Sequence, residues 1–166
     1  DEVFLVSGIS DEDAWAEVLP WVDPELFKVD LPAVVGVSVV NGKGSFALTR
    51  HDSIDWSLVG EATVVLDNSL ANAMAFRVAS LSLREPLGLS NKVEYGLEDP
   101  IARVEFEVRS DDGNIDKHSL VIGSQIGEFG EYAVKSSLSP YYLTMGAYSV
   151  KDFLEKGRDD FVLPAD

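Results

Sequence analysis

Arg103-Val104-Glu105-Phe106-Glu107-Val108-Arg109 alternates apolar and charged side chains without a break. In a β-strand successive side chains point to opposite faces. Val104, Phe106 and Val108 therefore share one face, and Arg103, Glu105, Glu107 and Arg109 the other. One packed face and one wetted face predict an antiparallel sheet rather than a parallel sheet buried on both sides. Downstream, residues 110–114 turn the chain back. Residues 120–122, 132–134 and 141–145 continue a meander, with Gly123, Gly127 and Gly130 marking its connections. Ser149, with Asp152 three positions on, reads as the cap of a last short helix carrying Val150, Phe153 and Leu154.

Upstream the same period of two returns. Val35, Val37 and Val39 share a face, Asn41-Gly42-Lys43-Gly44 supplies a turn, and Phe46 and Leu48 come back as the second arm of a hairpin. Trp56 and Leu58 alternate with Asp55 and Ser57, so a third strand follows a tight connection at 51–53. Asp67 is an N-cap for a helix whose Leu70, Met74, Val78 and Leu81 form one apolar stripe, with four alanines raising its propensity. Residues 83–87 read as a strand and 88–100 as loop. At the N-terminus, 3–7 suit a buried strand, and Ser10 with Asp13 opens a helix to about residue 19 with Trp15, Val18 and Leu19 inward. Pro20, Pro24 and Pro32 punctuate an irregular segment anchored by Leu26 and Phe27.

The expected fold class is α+β, with antiparallel β-meander sheets, helices packed on one face, and two related ββ(β)α units. Residues 1–166 form a single domain, with 1–88 and 89–166 as its sub-units. Phe4-Leu5-Val6-Ser7-Gly8 before a Ser-capped helix resembles Tyr142-Leu143-Thr144-Met145-Gly146 before another. The simplest account of that likeness is a fragment of a longer repeat protein.

A chain of 166 residues that is 46% hydrophobic and 25% charged lies in the ordinary globular range. Its formal charge of -16 repels phosphate backbones and anionic headgroups, which argues against nucleic acid and leaves cationic partners open. The absence of cysteine removes disulfides, thiolate nucleophiles and cysteine metal sites. No run approaches the roughly 20 apolar residues of a membrane span.

Reactive constellations are hard to find. His51 and His118 are the only histidines, and neither sits beside a partner at metal-binding or acid–base spacing, so surface or hairpin roles are expected. Gly123-Ser124-Gln125 lacks the GxSxG pattern and strand-turn-helix context of a nucleophile elbow, and the glycines from 123 to 130 lack the Lys-Ser/Thr ending of a phosphate cradle. Ser110-Asp111-Asp112-Gly113-Asn114-Ile115-Asp116 collects oxygens as a calcium loop would. It has neither the EF-hand spacing nor the distal Glu, and a hairpin turn demands the same residue types, so calcium stays open. Asp11, Glu12 and Asp13, like Asp159 and Asp160, read as solvated faces. No catalytic residue, cofactor or metal is expected. Tyr132, Tyr141, Tyr142 and Tyr148 crowd the C-terminal part and form the one sequence-level candidate for an interaction surface.

Val93-Glu94-Tyr95-Gly96-Leu97-Glu98-Asp99-Pro100 resembles the Tyr-Gly-Leu-acid-x-Pro signature of the bacterial DUF 4340 family. The resemblance continues through Leu120-Val121-Ile122-Gly123, through Glu131-Tyr132-Ala133-Val134 and into residues 142–155. It departs at Val59-Gly60-Glu61-Ala62, where the family carries a proline. The resemblance implies a non-enzymatic interaction module on the extracytoplasmic side of a membrane-anchored protein. Its partner would be a protein of the cell envelope, such as a subunit of an ABC-type transporter, and the membrane would be met only through a segment outside this sequence. Within that frame Gly96 permits a positive-φ turn, Leu97 plugs the sheet edge and Pro100 holds Asp99 extended. The alternative function, from a different class, is a small-ligand or glycan-binding domain using exposed tyrosines.

Overall fold

The computed structural model describes residues 23–50, 54–127 and 129–164. The expected strand at 3–7, the helix at 10–19, Pro20, Asp11 to Asp13 and His51 lie outside these. Ten strands and two helices follow in the order β1 (Glu25–Lys28), β2 (Val34–Asn41), β3 (Gly44–Thr49), β4 (Ser57–Leu58), α1 (Asn68–Ala79), β5 (Ser80–Ser82), β6 (Pro86–Gly88), β7 (Ala102–Arg109), β8 (Ile115–Ile126), β9 (Glu131–Ser136), β10 (Tyr142–Met145) and α2 (Ala147–Glu155). Eight strands form one antiparallel sheet in the order β4-β3-β2-β7-β8-β9-β10-β6, and β1 pairs with β5 in a small second sheet. The fold is α+β and both sheets are antiparallel, as the alternation at 103–109 requires.

Strand β7 sits mid-sheet, and its pattern sets the two faces. Val104, Phe106 and Val108 join Val37, Val39, Leu120, Ile122 and Val134 in one apolar core. Met74, Ala75 and Val78 of α1 and Val150 and Phe153 of α2 close that core, so both helices lie on the same face of the sheet. Two series wind outward from the β2–β7 pair. One is β2-β3-β4-α1 and the other β7-β8-β9-β10-α2. The sheet ends in strands of two and three residues, β4 and β6, the latter opening on Pro86. Short, proline-bearing edges offer little unpaired backbone to another chain.

Several local expectations are corrected. The segment anchored by Leu26 and Phe27 is the strand β1, because β5 offers it a backbone partner. Leu81 lies beyond α1, buried in β5, since the helix ends at Ala79. Of the strand expected at 83–87 only Pro86 and Leu87 are realised, in β6, and 83–85 connect it to β5. Gly146, not Ser149, occupies the N-cap of α2, and the Ser149 amide already donates back to the Gly146 carbonyl at 2.9 Å. Gly123 lies inside the twelve-residue β8 rather than in a connection. Asp67 does cap α1, accepting from the Ser69 and Leu70 amides at 2.9 and 3.2 Å.

Candidate functional site

The sheet face opposite the helices divides in two. Over β8, β9 and β10 it is covered by the chain itself, in the crossover between β6 and β7. Tyr95 there is buried, its ring centroid 5.9 Å from that of Tyr142. Gly96 follows in the left-handed region at φ +62°. A Cβ placed on Gly123 would overlap the Tyr95 carbonyl oxygen and stand 3.0 Å from Leu97, while one on Gly96 would overlap the Ser124 hydroxyl. The Tyr-Gly-Leu element is thus a strap pressed onto an interior strand. Leu97 covers Gly123 of β8 mid-sheet, which corrects the expectation that it plugs an edge.

Over β4, β3, β2, β7 and β8 no described segment covers the outward face, and a cavity of about 520 Å³ lies there. Strand register builds its floor in two rows that run across the strands. The first is Ala47, Ser38, Glu105 and Ser119, continued by Ser137, whose Oγ accepts from the Ser119 amide at 2.9 Å. The second is Ser57, Thr49, Gly36, Glu107 and Lys117. A third row of longer side chains flanks the first: Val40, Arg103, Val121, Lys135 and Tyr142. Mostly small side chains in the two floor rows, beside this row of longer ones, make a trough. A second hollow of about 430 Å³ extends it past Ser119 and Ser137 toward Ser139.

The electrostatics of the trough are local. Lys117 Nζ stands 2.7 Å from Glu107 Oε1, and hydrogen bonding to that carboxylate raises the lysine pKa. Glu107 lies low over the backbone, so a Cβ on Gly36 would come within 2.8 Å of its Oε2. Gly36 lies where the β2–β7 register slips between Val34 and Gly36, and a side chain there would make that carboxylate shift. Lys135 is spent on the carbonyls of Ser136, at 3.3 Å, and of Ser139, with its Nζ 5.6 Å from the centre of the Tyr142 ring. Glu105 stands exposed in the first row with no ion pair among the described residues.

The four tyrosines singled out from sequence do not converge. Tyr142 faces outward beneath the strap, and Tyr132 packs partly buried against the helix-side core. Tyr141 is half-exposed just before β10. Tyr148 stands on α2 with the Arg77 guanidinium 4.4 Å above its ring, and Arg77 Nε reaches Asp152 at 2.7 Å. His118 is a half-buried residue of the β7–β8 hairpin. It lies within β8, its ring 5.2 and 5.3 Å from those of Phe27 and Phe106. In the acidic turn, Asp112 accepts from the Ser110 hydroxyl at 2.5 Å and from the Asn114 amide and side chain at 3.2 and 2.6 Å. The Ser110 bond comes first in holding its pKa below the ordinary carboxylate value. Asp160 accepts from the Gly157 amide at 2.8 Å, and Asp159 pairs with Arg158 at 2.6 Å. Among the described residues no cluster of three or more His, Asp or Glu could hold a metal ion, and no helix is long and apolar enough to cross a membrane.

Sequence reading missed the trough. Its signal was present in Gly36, Ser38, Ala47, Thr49 and Ser119, small residues at the outward positions of successive strands. Which of them line up depends on strand order, and that order places β2 beside β7, far away in sequence.

Compared with protein-family models, curated proteins and solved structures, the chain gives no match.

Proposed function

We propose that this chain is a non-enzymatic protein-interaction module that docks a partner in the trough on the outward face of its sheet. One observation carries the reading. The protein covers half of that face with its own strap and keeps the other half small-floored over a cavity of about 520 Å³. That volume is in the range of pockets that hold ligands, and an ordinary solvated sheet face has no need of such depth. The resemblance of residues 93–100 to DUF 4340 extends the proposal. The module would work outside the cytoplasm as part of a membrane-anchored protein, with an envelope partner such as an ABC-type transporter subunit. Small-ligand or glycan binding through the tyrosines has weaker support, because they occupy separate places on the molecule.

The test is capture from the native envelope fraction with three baits: the unaltered chain, Ser119→Trp to fill the trough, and Lys151→Trp on the exposed side of α2. The proposal expects a membrane protein to be retained by the first and third baits and lost with the second. Equal retention by all three, or no membrane protein on any, would contradict it.

A further inference from the structure

We infer that the trough receives an extended polypeptide segment carrying a lysine or arginine, laid across the strands with that basic side chain on Glu105. This rests on the docking function proposed above and specifies the chemistry of the partner.

Shape limits the occupant first. The second row crosses five strands and the first four strands and Ser137, and four inter-strand steps of about 4.8 Å make a span of roughly 19 Å, the length of about six extended residues. The two rows lie two residues apart along the strands, about 7 Å, so one extended backbone laid along them can reach the hydroxyls of both. Addition of the peptide as an extra strand is disfavoured by the brevity of β4 and β6, so the segment must lie over the sheet rather than beside it. The floor suits a backbone. Ser38 and Ser119 offer hydroxyls that can both donate and accept, and Gly36 and Ala47 let a main chain approach closely.

Charge selects the side chain. Glu105 is the only long residue in its row. On the same outward face Glu107 already holds Lys117, Lys135 is bound to backbone carbonyls, and Arg103 stands in the flanking row without an ion pair to Glu105. Lys117, held by Glu107, acts on Glu105 only through space, so among the described residues this carboxylate in the floor has no direct ion pair and is open to a basic side chain. The chain's charge of -16 draws basic segments toward it and repels acidic ones.

The experiment selects a displayed library of random heptapeptides against the whole chain in four forms: unaltered, Glu105→Lys, Glu155→Lys on α2, and Ser119→Trp. Glu105 and Glu155 are both exposed, and thermal melts confirm that the variants fold. The expected pool from the unaltered chain is enriched in lysine or arginine at one central position. That enrichment persists with Glu155→Lys and disappears with Glu105→Lys. A selected peptide, measured by fluorescence polarisation, loses roughly tenfold or more in affinity for Glu105→Gln, the scale of one charge-assisted hydrogen bond. A pool that Ser119→Trp abolishes but that shows no basic preference, or one whose preference survives Glu105→Lys, overturns this inference and leaves docking in the trough standing. A pool indifferent to Ser119→Trp removes both.

Discussion

Individual residues decide where the backbone can pass. Gly123 has no Cβ because the Tyr95 carbonyl occupies that space, and Gly96 must hold φ at +62°. Gly123→Ala should cost about 1–3 kcal/mol as a forced overpacking, and Gly96→Ala about 1–2 kcal/mol or more through its left-handed backbone. Gly42→Ala is the control, since nothing lies within 4 Å of its Cβ position and its φ is not positive, and it should be nearly neutral. Urea midpoints of the three variants check this, and equal shifts would show that the strap does not press on β8. A pH effect belongs at this scale too. Glu61 accepts from Arg158 Nε at 3.0 Å and from a second guanidinium nitrogen, and these bonds hold its pKa below the ordinary glutamate value; Asp112 is lowered in its own turn. Carboxylates lowered by folding contribute stability above their unfolded pKa and lose it as pH falls through the folded one. Melting temperature should therefore fall on acidification below about pH 4, and by less in Glu61→Gln. An equal fall in that variant would remove the Arg158 tie from the account. Alternation made the inward residues legible from sequence. The strap's pressure on Gly123 was not legible, because it joins positions 95 and 123 through a fold that no local pattern encodes.

Elements are joined by side chains whose sequence signals concerned something else. Asn41 reads as a hairpin-turn residue, yet its Nδ2 also donates at 2.8 Å to the carbonyls of Phe153 and Lys156, at the end of α2. A helix leaves its last carbonyls without intrahelical partners, so Asn41→Ala should cost about 1–3 kcal/mol by stranding two half-buried acceptors. Trp56 likewise ties β4 to α1. Its backbone amide donates to Asn68 Oδ1 at 2.8 Å and its indole to Asn72 Oδ1 at 3.0 Å, with the Arg50 guanidinium 4.6 Å from the ring centre. Trp56→Ala should cost about 3–5 kcal/mol and Trp56→Phe about 1 kcal/mol, measured by denaturant unfolding. A Phe variant as damaged as Ala would assign the role to the indole hydrogen bond rather than to packing. The hairpin at β2–β3, the cap at Asp67 and the strand β7 could all be read directly, because their signals lie within a few residues. β1 and β5 could not, since each is a strand only by virtue of the other.

At the scale of the molecule, residues 23–88 and 89–164 share one sheet, and β2 against β7 is the pairing that joins its two sides. Separation of residues 23–88 from 89–164 would expose both strands along their whole length and open the core through Val37, Val39, Val104 and Phe106. β6, within the first segment, would also lose β10. Neither half should melt cooperatively alone, whereas the joined chain should show a single calorimetric transition. A cooperative melt from either half would make the units independent domains. The central functional claim, docking through the outward trough, is tested most directly by a photo-crosslinking amino acid placed in turn at Ser38, Ser119, Lys151 and Tyr148 in the native cell. Adducts to one partner from positions 38 and 119, with none from 151 and 148, are the expected result; adducts confined to the helix side, or spread evenly over all four positions, would contradict the account.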